Sequence, residues 1–526
     1  MIKTIILTTL YLLINNSIIL KFKSRKLKNI NYENYDFLNL YFENNEDLKK
    51  IIFSKQYFLK KFYDEKSINY HTFAWLNSAK KIGGPKLIYL SKKHIINWYN
   101  KKYNNYSFVW NEVFIAKRLL NLIYNFDYYA VTATKEEKNL LKIIKYKNYL
   151  LLNFKVFFVK NKKEIPIEIF KALLLLHSIN NIKTDKIIQK INEQINFQVN
   201  EVGMHKSINP CLQAEFINEL YEIKSICLNF KIKIPTIIEY QIMNMSAVLK
   251  NLFHKDGTLA LFNGSNNANY EQLIKINNLY KDLNPKNLSE IKNGLAVFET
   301  KKLKVLLDLT KPSNKLLSHN LHAGTLSFEM SCNKEKIITN CGSIEKRTGR
   351  KPEYLRLSAA HSTIIINNTN ISELVEKKSY KRIPQNISFN KKEDEKKIYW
   401  ESSHDGYKDN FKKIVKRKLI ISKKTPHIVG QDSIISINLK NDNILYNIRF
   451  HLTPTCSCLL TNNKRSVLIK TELNNSWIFK SKSKLSLEDS ICSFDGKKIN
   501  KTKQIVICGL TSSSKNTEHW SISKLK

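Results

Sequence analysis

A chain of 526 residues exceeds what one ordinary core organises, and its length calls for about two to four domains. A hydrophobic content of 43% with 13 Gly and 10 Pro excludes a fibrous or disordered chain. The net charge of +42 comes mostly from Lys spread end to end among Asn and Ile; Arg is scarce and no basic block stands apart. Nucleic acid is therefore not the expected partner, although such charge attracts other polyanions, acidic polysaccharides among them.

The N-terminus opens with an apolar run, Ile5 to Leu20, preceded by Lys3 and broken by Asn15, Asn16 and Ser17. It is short for a stable membrane span, and it lacks the small-residue cleavage site of a signal peptide. An exported leader and an ordinary buried helix both remain open for this lead-in, taken as residues 1–44.

Residues 45–290 read as helical. Trp110 to Tyr124 places Val113, Leu120 and Ile123 on one face, with Trp110 and Phe114 beside them. Pro166 to His177 and Asn209 to Phe230 behave alike, with Asn209 as N-cap and Pro210 in the first turn. Pro235 opens another helix that runs to Leu252. Short polar connections predict stacked αα-hairpins, and no fixed repeat is visible.

The texture changes after Asn284-Pro285-Lys286-Asn287. From Gly294 onward the runs are short, β-branched and alternating: AVFET, KVLLDL, KIITN, STIIINN, KLIIS, SIISINL, SVLIKTEL and QIVICGL. Helices followed by strands predict two domains in series, with a β-sandwich over 291–526. The eight cysteines form no CxxC pair, and Cys456 and Cys458 alternate along a strand, so no disulfide framework is indicated.

Four segments stand out in order: Gly203-Met204-His205-Lys206-Ser207-Ile208-Asn209-Pro210, Asp256-Gly257 to Asn263-Gly264, His322-Ala323-Gly324 to Glu329, and Ala359-Ala360-His361-Ser362-Thr363. Asn340-Cys341-Gly342 lies between the last two, and Arg449-Phe450-His451 follows. Their order and spacing resemble the heparinase II/III-like family, alphaproteobacterial members more than true heparinases. That resemblance implies an α+β multidomain chain: an incomplete N-terminal α/α toroid followed by an antiparallel β-sandwich, with the site between them.

It also implies a polysaccharide lyase acting by β-elimination on a uronic-acid polymer, without a redox or nucleotide cofactor. Such a site must neutralise the substrate carboxylate, remove the neighbouring proton and protonate the leaving oxygen. His205, Asn320 and His322 are the candidate catalytic residues, and Ser207, Asn209, Asn263 and Arg356 the candidate substrate contacts. The family commonly places His-x-His before Ala-Asp at the third motif; here the first His is Asn320 and the Asp is Gly324. Its second His suggests a structural zinc held by His322, Asn340 and His361, with Asn340 where the family often has an Asp. The same histidines also fit two other roles, hydrogen bonding within the sandwich or direct catalysis.

The remaining motifs carry similar alternatives. His205 either lines the cleft or caps a helix from a polar loop. Arg356 either meets a carboxylate bidentately or is a surface charge, and the Asp256 to Gly264 segment either borders the cleft or is a plain loop. The family's Tyr and His fall on Leu212 and Gln213. A retained fold with altered chemistry would look like this, so the alternative function is non-catalytic carbohydrate binding or envelope-polysaccharide assembly. The cell envelope or periplasm is the expected compartment, the cytoplasm the alternative; no oligomeric state is implied.

Overall fold

The computed structural model describes residues 20, 24, 68–101, 103, 108–159, 164–268, 276, 278–279, 282–286, 288–312, 317, 321–344, 353–375, 379–437, 443–512 and 514–525. Asn320, residues 25–67 and all of the apolar N-terminal run except Leu20 lie outside them. Among the described residues no helix is long and apolar enough to cross a membrane.

Among the described residues before Gly294 the α-helices are α1 (Ile68–Thr72), α2 (Trp75–Ile82), α3 (Pro85–Asn100), α4 (Glu112–Tyr124), α5 (Phe126–Tyr129), α6 (Lys135–Asn153), α7 (Ile167–Ile179), α8 (Asp185–Gln198), α9 (Pro210–Asn229) and α10 (Thr236–Leu252). Their starts follow from capping chemistry. Asn111 accepts from the Val113 N–H at α4, and Thr134 with Glu137 forms a capping box at α6. At α9 the Asn209 Oδ1 accepts from the Cys211 and Leu212 N–H groups, the N-cap expected there.

Helix α4 packs against α6 and α7 and buries Arg118 completely. That guanidinium donates to Asn148 Oδ1 (2.8 Å) and to the carbonyls of His71 (2.7 Å) and Val109 (3.2 Å). It also stacks over Trp98 and Trp110 at 4.4 and 5.1 Å from the ring centroids. A buried charge is tolerated here because its donors meet fixed acceptors and its face meets π density.

Beyond Gly294 the chain is almost wholly extended. In order come β1 (Leu295–Glu299), β2 (Leu303–Asp308), β3 (Phe328–Cys332), β4 (Glu335–Thr339), β5 (Ile364–Ile366), β6 (Glu373–Val375), β7 (Ser379–Arg382), β8 (Ile387–Glu393) and β9 (Lys397–Tyr407). Then follow β10 (Lys413–Ser422), β11 (His427–Ser436), β12 (Leu445–Leu452), β13 (Ser457–Leu460), β14 (Ser466–Lys470), β15 (Ser476–Ser481), β16 (Leu485–Cys492), β17 (Asn500–Leu510) and β18 (Lys515–Lys524). One antiparallel sheet runs β1-β2-β3-β4-β12-β17-β16, with β5 paired to β12; the other runs β13-β14-β15-β18-β11-β10-β9-β8.

Alternation explains why these sheets face one another. Along β10, buried Lys413, Val415, Arg417, Leu419 and Ile421 alternate with half-buried neighbours. Facing side chains from both sheets, among them Phe328, Phe450, Trp400, Leu419, Phe479 and Trp520, share one apolar core. Phe328, Trp520 and Phe479 stack in near-parallel planes, with centroids 5.6 Å apart at each step. Gly430 is required beneath Trp520, because a Cβ there would fall inside the indole.

The chain's compact groups do not follow the change from helix to strand. Val199–Glu215 and Met243–Lys346 group with the strands, whereas Phe216–Ile242 groups with the helices that precede Val199. Short bridges pin these additions: Val199 pairs with His205 and Phe253 with Leu259, while the Leu261 N–H reaches Glu329 on β3. The loops that carry the first two motifs are thus part of the β unit.

Candidate active site

The loop carrying His205 is shaped by Gly203 and Gln213. Gly203 has φ 93°, and a Cβ there would lie 2.8 Å from the Asn244 backbone, so only glycine fits. Gln213, at the position where a His was expected by resemblance, is fully buried; its Oε1 accepts from the His205 N–H (2.7 Å) and its Nε2 donates to Gly203 O (2.8 Å) and Met245 O (3.0 Å). Leu212 beside it is 39% exposed, so no phenol replaces the missing Tyr at that place.

His205 itself is buried, and Nδ1 accepts from the Ser207 N–H (3.2 Å) and pairs with Ser207 Oγ (2.7 Å). Those bonds put the ring proton on Nε2, making that nitrogen a donor. Burial, reinforced by Lys206, lowers the His205 pKa to about 4, so the ring is neutral at pH 7. Ser207 thus serves the histidine. Asn209 is spent on the cap of α9 and on Asn263 O (3.0 Å).

Asn263 connects the first motif with the third. Its Nδ2 donates to Ile208 O (3.1 Å) while its Oδ1 accepts from the His322 N–H (3.2 Å). It holds φ 53°, a left-handed conformation that Asn tolerates. The Asp256 to Gly264 loop is therefore more than a border: one amide fixes both histidine-bearing segments.

The segment that starts at His322 is not a strand, although Ala323, Thr325 and Ser327 alternate with Gly324, Leu326 and Phe328 as in one. Residues 321–327 are loop and turn, and β3 begins only at Phe328. Leu326 has φ 62°, the Ser327 N–H returns to Gly324 O (2.8 Å) and the Leu326 N–H to Asp308 O (2.8 Å), so extension is broken. The turn brings His322 Nδ1 within 3.2 Å of His361 Nε2, the rings edge to face. His361 Nδ1 donates to Leu357 O (2.8 Å), which makes its Nε2 an acceptor and His322 Nδ1 the donor. His322 Nε2 is then the basic nitrogen of the pair. Gly324 is needed beside them, since a Cβ there would stand 2.6 Å from His361 Cδ2.

Sequence reasoning passed over Glu329, which sits at the base of this arrangement. The carboxylate is fully buried and accepts from Asn340 N (2.9 Å) and Nδ2 (3.2 Å), Leu261 N (3.1 Å), His254 Nε2 (2.8 Å), Lys336 Nζ (3.2 Å) and Thr339 Oγ1 (3.4 Å). Burial alone would raise its pKa, but Lys336 and the His254 donor outweigh that and hold it near about 2. His254 Nδ1 in turn meets Ser331 Oγ (2.9 Å), so His254, like Glu329, is fully committed.

Arg356 is half-buried and donates from Nη2 to Leu321 O (3.2 Å) and Tyr380 OH (3.0 Å), its plane 5.7 Å from the Tyr380 ring. It is therefore a cation tied to the carbonyl of Leu321, the residue before His322, and not a loose surface charge. Tyr380 carried no sequence signal.

The zinc expectation meets an unsuitable donor set. His322 and His361 come together, but they hydrogen-bond each other. Asn340 spends Oδ1 on the Ser362 N–H (2.9 Å) and Nδ2 on Glu329. Among the described residues no three His, Cys, Asp or Glu side chains are grouped to hold a metal.

Comparison with known proteins now places this geometry. Residues 290–521 match the family profile described as Heparinase II/III-like, C-terminal. Residues 290–521 thus form a heparinase II/III-like C-terminal domain. Solved heparinase III is similar over 96% of this chain and 88% of its own, with 15% identity and a TM-score of 0.69. The heparan sulfate lyase HepC of Pedobacter heparinus, in a mutant form, is similar over 97% and 88%, with 13% identity and a TM-score of 0.60. At these identities the likeness concerns fold: helical toroid, then β-sandwich. A curated relative, FtsZ-localized protein C of Caulobacter vibrioides, is 21% identical over 308 residues, 56% of this chain and 53% of that protein. The chain thus spans about half the length of that relative.

Acid should expose the buried imidazoles. Burial lowers the pKa of His205, His254 and His361 to about 4 each, against about 6.5 when unfolded. Below pH 6.5 the unfolded chain binds protons that the native rings refuse, so stability is full above that pH and drains away toward pH 4. Each ring contributes a slope of about 1.4 kcal/mol per pH unit in that window. Thermal midpoints measured from pH 8 to 4 should be level at first and then fall steeply; a level course to pH 4.5 would show that these rings are not held neutral.

Proposed function

We propose that this protein, with its heparinase II/III-like C-terminal domain, cleaves an acidic polysaccharide containing uronic acid by β-elimination. The observation that carries the reading is the Asn263 amide, which joins the His205 loop to the His322 turn. His322 Nε2 takes the proton from the carbon beside the carboxylate; the electron pair forms the new double bond as the 4-linked oxygen departs, and that oxygen takes the proton from the imidazolium so formed. The His205 Nε2–H, with the Arg356 cation held beside His322, offsets the charge that develops on the carboxylate. Asn320 retains the sugar-facing role implied by resemblance, and the cell envelope or periplasm is the compartment where such polymers lie.

A second reading is non-catalytic glycan binding or envelope assembly. It is favoured by Leu212 and Gln213 where a Tyr and His were expected, and by a relative named for localisation with FtsZ. Purified protein incubated with alginate, heparin, heparan sulfate and other uronate polymers should generate the ultraviolet absorbance of an unsaturated product. Glycan-array binding without any such product would replace the lyase reading with the second one.

A further inference from the structure

A divalent cation, where it organises imidazoles, gathers them by their lone pairs and supplies positive charge at the centre. The charge at the base of this site has the opposite sign. Glu329 is an anion inside a cage of donors, and each donor belongs to a segment that shapes the site. Leu261 N–H and His254 anchor the loop that ends in Asn263. Asn340 takes Glu329 Oε1 through its amide and passes the contact on: its Oδ1 holds the Ser362 N–H, next to His361. The Ser362 hydroxyl donates to Thr339 O (2.7 Å) and accepts from the His451 N–H (2.9 Å), closing this floor against β4 and β12.

We infer that the His322–His361 pair is positioned without a metal, by an anion-centred scaffold in which Glu329, relayed through the Asn340 amide to the Ser362 N–H, does the work a cation would otherwise do. The amide at 340 is essential to this arrangement. Its Nδ2 lies 3.2 Å from Glu329 Oε1, so an Asp at 340 would set two carboxylate oxygens against each other in a buried place. Glu329 Oε2 accepts from His254, Leu261 N–H and Lys336, whose ammonium also donates to Leu259 O (3.0 Å). The pair of rings is then free of coordination geometry. His361 orients, through its bond to Leu357 O, and His322 keeps a basic nitrogen.

Zinc content and thermal midpoints test this without any turnover, so the inference stands or falls separately from the lyase reading. The full chain, purified, equilibrated with zinc and dialysed, should hold no stoichiometric zinc by mass spectrometry. Its midpoint should not move with zinc or with chelator. Asn340→Asp should lower the midpoint by about 5 °C or more, and adding Glu329→Gln to that variant should recover most of the loss. Stoichiometric zinc that His322→Ala removes would overturn the inference, as would an Asn340→Asp protein as stable as the parent.

Discussion

Replacing Arg417 by Met should remove about 3–5 kcal/mol of stability, the largest single-residue loss expected in the β unit. Arg417 and Asp432 are directly opposed on β10 and β11 and form a bidentate pair, Nε to Oδ1 at 2.7 Å and Nη2 to Oδ2 at 2.9 Å. Both are buried, and Trp520 Nε1 adds a third bond to Asp432 Oδ2 (2.9 Å). Removing the cation would strand a carboxylate with one donor in an apolar core. The same guanidinium reaches across the sandwich: Nη1 donates to Leu326 O and Ser362 O, each at 2.8 Å. Those carbonyls flank the His322 turn and the His361 motif, so the loss should also loosen the site. Denaturant unfolding measures the first effect. A loss under about 1 kcal/mol would show that the pair is not desolvated as described.

His322→Ala should lower turnover on a cleaved uronate polymer by about 10²–10⁴-fold, with little change in stability, because general-base removal of the proton has no substitute nearby. His205→Ala should cost about 10²–10³-fold, the scale for losing one donor to developing charge. The two losses should differ in their pH course. The His322 nitrogen must be unprotonated to act, whereas the His205 Nε2–H is a donor whether or not that ring is protonated. Initial rates read across pH for both variants and the parent separate these roles. Equal, pH-independent losses would point to a shared folding defect instead.

Much of this architecture is legible in the sequence, for physical reasons that can be named. The period of apolar residues shifts from helical to alternating at Gly294, and the structure changes from helix to strand at Leu295. Asn209-Pro210 announces a helix start, and the hydrogen bonds of α9 confirm it. The His322 and His361 motifs were visible as an ordered set, and the rings do meet. What failed was the local conformation at His322, where alternation of small residues imitates a strand while backbone bonds to Asp308 and Gly324 fold it into a turn.

The buried charges were the least legible part. Glu329 is the second residue of a buried strand, Phe-Glu-Met-Ser-Cys, where a charge reads as solvent-facing, and its cage combines His254 and Leu261, 75 and 68 residues back, with Lys336, Thr339 and Asn340 just ahead. Arg417 carried a usable signal: it shares the parity of Val415, Leu419 and Ile421, which places it inward, but its partner Asp432 is set by cross-strand register that one strand alone cannot display. Likewise the Asn340 amide reads in the sequence as a metal-ligand position, and its contact with the buried Glu329 carboxylate is visible only in the structure.

A crystal structure of the protein with a short uronate oligosaccharide bound tests the site most directly. The sugar carboxylate should lie against the His205 Nε2–H and Arg356, with the acidic C–H facing His322 Nε2. An oligosaccharide seated elsewhere on a folded protein, with both imidazoles untouched, would contradict it.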